Sequence, residues 1–318
     1  MSDLRTSDKL MDLATAVDRF VHDGDCVALE GFGHLIPFAA GHEIIRQNKR
    51  DLTACRMTPD LLTDQMLAAG VITKLVASFF ASGSAGSLYE LRRRVEDHDP
   101  APLEVEEYSH YGMVCRYQAA AAGLPFFPLR SYAGSDMPEL NMDIRKVLDP
   151  YTGGEIYVVP PLEPDVTVIH AQRADHLGNV QMWGIVGAQQ EAAYAGKRVI
   201  ATVEEIVDPE VVRADPNRTL VPSHAVDAVV HCPGGAYPSY AQGYYDRDNL
   251  FYRDWTAISK DPKLIREWLD RWVYNLPDRA AYMAAIDAER WASLQVEQKL
   301  SGQVDYGQRK APAVPTAQ

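Results

Sequence analysis

Ala28-Leu29-Glu30-Gly31-Phe32-Gly33-His34 is the stretch of this chain whose residue types and spacing most plainly allow chemistry. An apolar strand from Cys26 to Leu29 runs straight into glycines, and a helical pattern follows from Pro37. Strand, glycine turn and helix in that order set backbone N–H groups against an anion or an acyl group. The stretch is not a dinucleotide fingerprint, because Ile36 stands at the third glycine position. The carboxyl end of a strand is where open α/β sheets hold ligands. Glu30, Gly31, Phe32 and Gly33 are therefore candidate binding residues. Glu30 is the one carboxylate placed to be a nucleophile. The stronger reading makes it a structural acid that fixes the loop by accepting backbone N–H bonds. The loop then has no nucleophile of its own, which points to half of an enzyme whose other half lies on a second polypeptide.

Two further clusters carry polar groups. Ser82-Gly83-Ser84-Ala85-Gly86-Ser87 follows an apolar run and opens a helix. It is not a G-x-S-x-G elbow, since Ser82 fills the first glycine slot, and no base with an orienting acid accompanies it. Ser82, Ser84 and Ser87 read either as donors to a substrate carboxylate or carbonyl, or as a capped loop. Glu106-Glu107-Tyr108-Ser109-His110 ends a strand and starts a helix. A helix start disfavours an imidazolium, so a neutral His110 could donate a hydrogen bond or act as a base. It is the one catalytic candidate, set against plain helix capping. The nine histidines show no metal-ligand spacing, so no metal is expected. The polar, aromatic stretches 233–239 and 244–249 fit a subunit interface or a substrate rim.

Composition narrows the classes. Thirty-one basic against 44 acidic residues give a net charge of −13 over 318 residues. Such a chain repels nucleic acid and anionic membrane surfaces. Arg92-Arg93-Arg94 is flanked by Glu90, Glu96 and Asp97 and reads as a solvated helix face. Cys26, Cys55, Cys115 and Cys232 show no C-x-x-C spacing and are expected reduced and mostly buried. No apolar leader and no long apolar span are evident, so a cytoplasmic location is expected.

The elements that must position these residues alternate. Ser7 is expected to cap a helix bearing Leu10, Leu13, Val17, Phe20 and Val21. Strands are expected at 26–29, 52–57, 74–81, 103–107, 156–159, 166–171, 180–183, 198–203 and 227–231. Helices are expected over 38–47, from Pro59 under a Thr58 cap to Ala69, over 88–97 under a Ser87 cap, over 109–122 and over 189–195. Residues 132–155 read as a long loop, residues from Asp254 onward as helical, and 301–318 as a disordered tail. This is an α/β pattern with a mainly parallel sheet and helices on both faces. One domain over 1–300 is expected, with 1–150 and 151–300 as possible lobes.

The ordered set Ala28-Leu29-Glu30-Gly31-Phe32 with Ile36-Pro37, Met57-Thr58-Pro59-Asp60, Gly123-Leu124-Pro125-Phe126, Ile169-His170-Ala171-Gln172, Gly178-Asn179-Val180, Lys197-Arg198, Thr202-Val203-Glu204-Glu205 and the 233–249 loop resembles the α subunit of two-subunit (family I) CoA-transferases. The 3-oxoadipate and glutaconate enzymes are the members it looks most like. The resemblance implies a three-layer CoA-transferase-type fold with a helical C-terminal segment. It implies a homologous β subunit, an α2β2 assembly, no permanently bound cofactor, and a coenzyme A thioester as substrate. It implies a ping-pong transfer to a 3-oxo or dicarboxylic acid, with succinyl-CoA a candidate donor and the attacking glutamate on the β subunit. It aligns Gly31 and Phe32 with the shared active-site loop, Ser84 with a substrate-contacting serine, and His110 with the active-site segment. The chain departs from the 3-oxoadipate pattern over Phe79–Ser84, near the acyl group, which leaves the acid itself open. The alternatives are a ring-opening hydrolase subunit of the same fold, acting on a CoA-linked steroid fragment, and a non-catalytic subunit.

Overall fold

The computed structural model describes residues 8–81 and 86–297. Its centre is set by strands that bury both faces. In β1 (Cys26–Glu30), Val27 and Leu29 join one apolar cluster while Ala28 joins another on the opposite side. That period-2 split is what a strand between two helical layers requires. Helix α1 (Leu13–Phe20) precedes it, and α2 (Phe38–Arg46), β2 (Leu52–Arg56), α3 (Leu61–Ala68), β3 (Ile72–Ala77), α4 (Tyr89–Arg92) and β4 (Glu104–Glu107) follow. Next come α5 (His110–Ala121), β5 (Phe127–Leu129), α6 (Met137–Leu140), β6 (Arg145–Leu148) and β7 (Glu155–Val159). The sheet resumes with β8 (Val166–Ala174), β9 (Val180–Gln181), α7 (Gln189–Ala195), β10 (Arg198–Ile206), α8 (Pro209–Ala214), β11 (Thr219–Val221) and β12 (Ala228–His231). Helices α9 (Asn249–Ile258), α10 (Pro262–Leu269), α11 (Arg279–Ala284) and α12 (Ala288–Leu294) complete the described chain.

Nine strands form the main sheet, and seven of them run parallel in the order β4–β3–β2–β1–β8–β10–β12. The short β9 turns back antiparallel to the end of β8 and carries β11. The chain builds outward from β1 to β4, then returns to β8 on the other side of β1 and builds outward to β12. The order therefore reverses between β1 and β8, the crevice where such sheets bind ligands. Helices α1, α2, α3 and α10 cover one face. Helices α5 and α7 and the small antiparallel sheet β5–β7–β6 cover the other. No helix among the described residues is long and apolar enough to cross a membrane.

Several expected boundaries move, each for a local reason. Ser7 lies outside the described residues. The first helix is capped instead by Asp12, which accepts the Thr15 N–H at 2.8 Å, and Leu10 pairs with Val229 rather than joining the helix. Thr58 does not cap α3. It precedes a proline, which disfavours helical backbone, and Asp60 takes the cap by accepting the Leu62 N–H at 3.0 Å. β3 starts at Ile72, not Lys74, and ends at Ala77, its last residue paired with β2. Beyond it Ser78 folds back onto the Met57 carbonyl. Ser87 caps nothing, since α4 begins at Tyr89 with no side-chain cap. The expected loop 132–155 holds α6 and β6, and β6 pairs antiparallel with β7. The final helices begin at Asn249, five residues before the expected Asp254, because Asp248 accepts the Phe251 N–H. Residues 301–318 lie outside the described chain.

Candidate active site

The glycine turn after β1 is fixed by close packing. A Cβ on Gly31 would sit 2.7 Å from the Leu35 carbonyl oxygen and 2.8 Å from Ile36 Cα, so only glycine fits there. Gly33 has φ +67°, the left-handed region that glycine enters without penalty. His34 then locks the turn. Its Nδ1 lies 2.7 Å from the Ile185 carbonyl, and its Nε2 accepts the Gln242 N–H at 3.0 Å. This pattern assigns Nδ1–H as donor in a neutral ring. Burial pulls the imidazole down to about 4. The Ser239 hydroxyl adds a 2.9 Å bond to the Gly33 carbonyl.

These ties present Phe32 and Gly33 to a cavity of about 300 Å3 at the carboxyl ends of β1 to β4. Thr58 and Asp60 line it from the β2–α3 turn, Phe79 and Ala81 from the segment after β3, and His110 from the start of α5. Arg247 and Tyr252 close it from the C-terminal segment. Phe32 meets the His110 ring edge-on at 5.8 Å, and Phe79 stands 6.0 Å from it. The Thr58 hydroxyl is 3.4 Å from His110 Nε2. Ser109, not His110, caps α5 by accepting the Gly112 N–H at 3.0 Å, which leaves the His110 side chain to the cavity wall.

Both nearby carboxylates are committed. Asp60 pairs with Arg56 at 2.7 Å besides capping α3. Burial pushes its carboxyl up, and the Arg56 charge holds it down. Arg56 also donates to the Thr58, Leu29 and Gly31 carbonyls, stitching β2 to the turn. Glu30 is 1% exposed and accepts from the Met57 N–H at 3.0 Å and the Tyr117 hydroxyl at 2.9 Å. Burial pushes it upward, opposed chiefly by Arg56.

Of the candidates from the sequence, Phe32, Gly33 and His110 come together at the cavity, and Gly31 shapes the turn behind them. Glu30 and Ser87 do not line it. The Glu30 carboxylate is turned toward Tyr117 on α5, on the face of the sheet that α5 covers. Ser82 and Ser84 lie outside the described residues. Sequence reasoning does not single out Thr58, Asp60 or Tyr252 as lining residues, whereas Phe79 and Ala81 fall in the 79–84 stretch that the resemblance places near the acyl group. Arg247 falls in the 244–249 stretch singled out as a possible rim, whereas Tyr252 lies between that stretch and the helical pattern expected from Asp254, with no sign of facing a ligand.

The family model described as Coenzyme A transferase matches residues 10–232. The chain is 51% identical over 278 residues to the α subunit of 3-oxoadipate CoA-transferase from Pseudomonas knackmussii, covering 87% of this chain and 98% of that one. It is 33% identical over 314 residues to the α subunit of glutaconate CoA-transferase from Acidaminococcus fermentans, covering 93% and 98%. The crystal structure of glutaconate coenzyme A-transferase from that organism matches with a TM-score of 0.84 at 31% identity, again over 93% and 98%. A more distant similarity, 29% over 293 residues, is to the cholesterol ring-cleaving hydrolase IpdA subunit of Rhodococcus jostii, covering 88% and 96%.

Proposed function

This chain belongs to the coenzyme A transferase family, and from that premise we propose that it is the α subunit of an enzyme moving CoA from an acyl-CoA to a 3-oxo or dicarboxylic acid such as 3-oxoadipate. Succinyl-CoA is the donor in this reading, and a homologous β subunit in an α2β2 assembly brings the attacking glutamate. That carboxylate adds to the thioester carbonyl and expels CoA thiolate, leaving an acyl-glutamyl anhydride. The thiolate then attacks the glutamyl carbonyl, releases the first acid and forms a glutamyl-CoA thioester. The second acid reverses both steps. A cytoplasmic location belongs to the same reading.

The observation that carries the reading is the state of the carboxylates. Asp60 is bound to Arg56 and to its helix cap, and Glu30 to Met57 and Tyr117. The cavity at the carboxyl ends of β1 to β4 thus has walls and donors but, among the described lining residues, no carboxylate open for attack. The roles left to this chain are preparatory. Phe32 and Phe79 exclude water and so strip a carboxylate nucleophile of its hydration. His110, with Ser82 and Ser84, supplies hydrogen bonds to the acyl oxygen as charge develops on it.

The test is reconstitution. The purified chain alone is expected to move no CoA from succinyl-CoA to 3-oxoadipate, and the complex with its β subunit is expected to do so with ping-pong kinetics. Acyl-CoA-dependent inactivation by borohydride should label the β subunit. Full transfer by the chain alone would end the proposal.

A further inference from the structure

We propose that Glu204 is a positioning residue: with His170 and Tyr245 it anchors the loop 233–245, and that loop holds the glycine turn that presents Phe32. Its effect on turnover rests on the transfer reading above, and its effect on the turn rests on the hydrogen bonds alone. The stretches 169–172, 202–205 and 233–249 meet at the Glu204 side chain. His170 Nε2 lies 2.7 Å from Glu204 Oε1, and its Nδ1 lies 2.8 Å from the Thr202 hydroxyl. The Tyr245 hydroxyl donates to Oε1, and the Gly234 N–H donates to Oε2 at 2.8 Å. Tyr245 Oη in turn accepts the Ala236 N–H at 3.1 Å. Burial pushes the Tyr245 hydroxyl well above its usual range, so it keeps its proton and donates. His170, Glu204 and Tyr245 are all buried, and none of them lines the cavity. A buried acid is a poor source of stability compared with hydrocarbon of the same size. What a paired polar network supplies is fixed geometry, and here it fixes the start of the loop.

The loop passes that geometry on to the turn. Gly235 has no room for a side chain, since a Cβ there would sit 2.6 Å from His170 Cε1. Arg279 donates to the Gly234 and Tyr237 carbonyls and so pins the same few residues. Held in this way, the loop bonds to the segment 33–39 at four points. The Gly235 carbonyl accepts the Ala39 N–H at 2.9 Å, at a helix start that has no side-chain cap. The Tyr240 carbonyl accepts the Leu35 N–H at 2.9 Å. The Gln242 N–H donates to His34 Nε2, and the Ser239 hydroxyl to the Gly33 carbonyl. Gly187 packs so closely on Phe32 that a Cβ there would sit 2.6 Å from Phe32 Cβ. Phe32 thus has little freedom of its own, and its place in the cavity wall follows the turn.

The experiment uses two mild variants in the reconstituted complex. Tyr245→Phe keeps the ring and removes the hydroxyl that joins Glu204 to Ala236. Glu204→Gln keeps the shape and replaces one acceptor oxygen by a donor. In both, amide hydrogen exchange is expected to rise about tenfold over 33–39, while 26–30 in β1 keeps its native rates. With succinyl-CoA and 3-oxoadipate, Tyr245→Phe is expected to lower kcat about tenfold and to leave KM within about threefold. In a Phe32→Ala background the same change should cost less than about threefold, because the turn then has no ring to present. A general weakening of the fold would cost the same in both backgrounds. If neither variant folds, Ser239→Ala, which removes the loop's hydroxyl bond to the Gly33 carbonyl, is read by the same two measurements. Faster exchange at 33–39 in a complex whose native form moves no CoA would keep the anchor and end the transfer reading. Unchanged exchange at 33–39, a rise shared equally by β1, or equal losses of kcat with and without the Phe32 ring would overturn the anchor.

Discussion

Gly31 and Gly33 are two residues apart, yet a methyl group meets different surroundings at each. At Gly31 it would press on the backbone of Leu35 and Ile36, which cannot rotate away. Gly31→Ala is therefore expected to cost about 1–3 kcal/mol and to displace Phe32 from the cavity wall, lowering transfer by the complex more than about tenfold. At Gly33 nothing lies within 4 Å of the added carbon, and the only penalty is the left-handed backbone. Gly33→Ala should cost about 1 kcal/mol and leave most of the activity. Urea midpoints and transfer rates of the two variants check the contrast, and equal effects would refute it. His110 makes the complementary case. It is partly exposed, and its one side-chain hydrogen bond among the described residues is the long 3.4 Å contact with Thr58. His110→Ala should leave stability within about 0.5 kcal/mol while lowering kcat of the complex by about 100-fold. Unchanged turnover would remove His110 from the site.

Between elements, buried ionisable groups tie the turn to its neighbours and make stability depend on pH. His34, on the β1–α2 turn, is held down to about 4, and His42, on α2, to about 3, both mainly by burial. Unfolded, each returns toward 6.5, so the unfolded chain binds more protons below that pH. Stability from these two groups is thus present above pH 6.5 and is lost as pH falls toward 4. Asp64 opposes them. It accepts the Leu91 N–H and the Trp255 Nε1–H, joining α3 to α4 and α9, and burial raises it to about 7. Folded Asp64 keeps a proton that the unfolded chain gives up above about 3.8, so its contribution is lost as pH rises. His34→Gln should flatten the fall in stability between pH 6.5 and 4 by about 1.4 kcal/mol per pH unit. Urea titrations across that range measure the slope, and an unaltered slope would show that His34 is not held neutral. The same elements show what is legible in a sequence. The parallel core can be read because Val27, Leu29, Leu75 and Val76 stand in apolar runs broken by Gly, Pro and Asp. The run 74–81 misleads because Phe79 and Phe80 continue it past the last strand pair, one toward the cavity and the other onto the core. β6 is invisible because Arg145-Lys146-Val147-Leu148 has one partly buried residue, and only its pairing with β7 defines it. At the site, Phe32 and His110 can be found because each follows a strand end directly. Tyr252 cannot, since its place comes from α9 folding back over the sheet.

At the scale of the whole molecule, the question is whether the halves on either side of residue 150 are separable, and the sheet argues that they are not. β1 from the first half lies between β2 and β8, the latter from the second half, and pairs with β8 from Val27 to Glu30. Lys9 reaches across to the Ser223 and Val226 carbonyls, and Leu10 bridges to Val229. The cavity draws Phe32, Thr58, Phe79 and His110 from one half and Arg247 and Tyr252 from the other. Cutting at 150 would strip β1 of one neighbour, expose Val27 and Leu29 on an open edge, and remove α9 and α10 from the face of α3. An exposed parallel edge with an uncovered apolar face does not hold a fold and invites aggregation. The chain is therefore expected to unfold in one cooperative transition, with fluorescence and circular dichroism giving coincident urea midpoints. A fragment ending at residue 150 should be unfolded or aggregated. Two resolved transitions, or a folded soluble fragment, would mean that the lobes are independent and that the cavity forms by their docking.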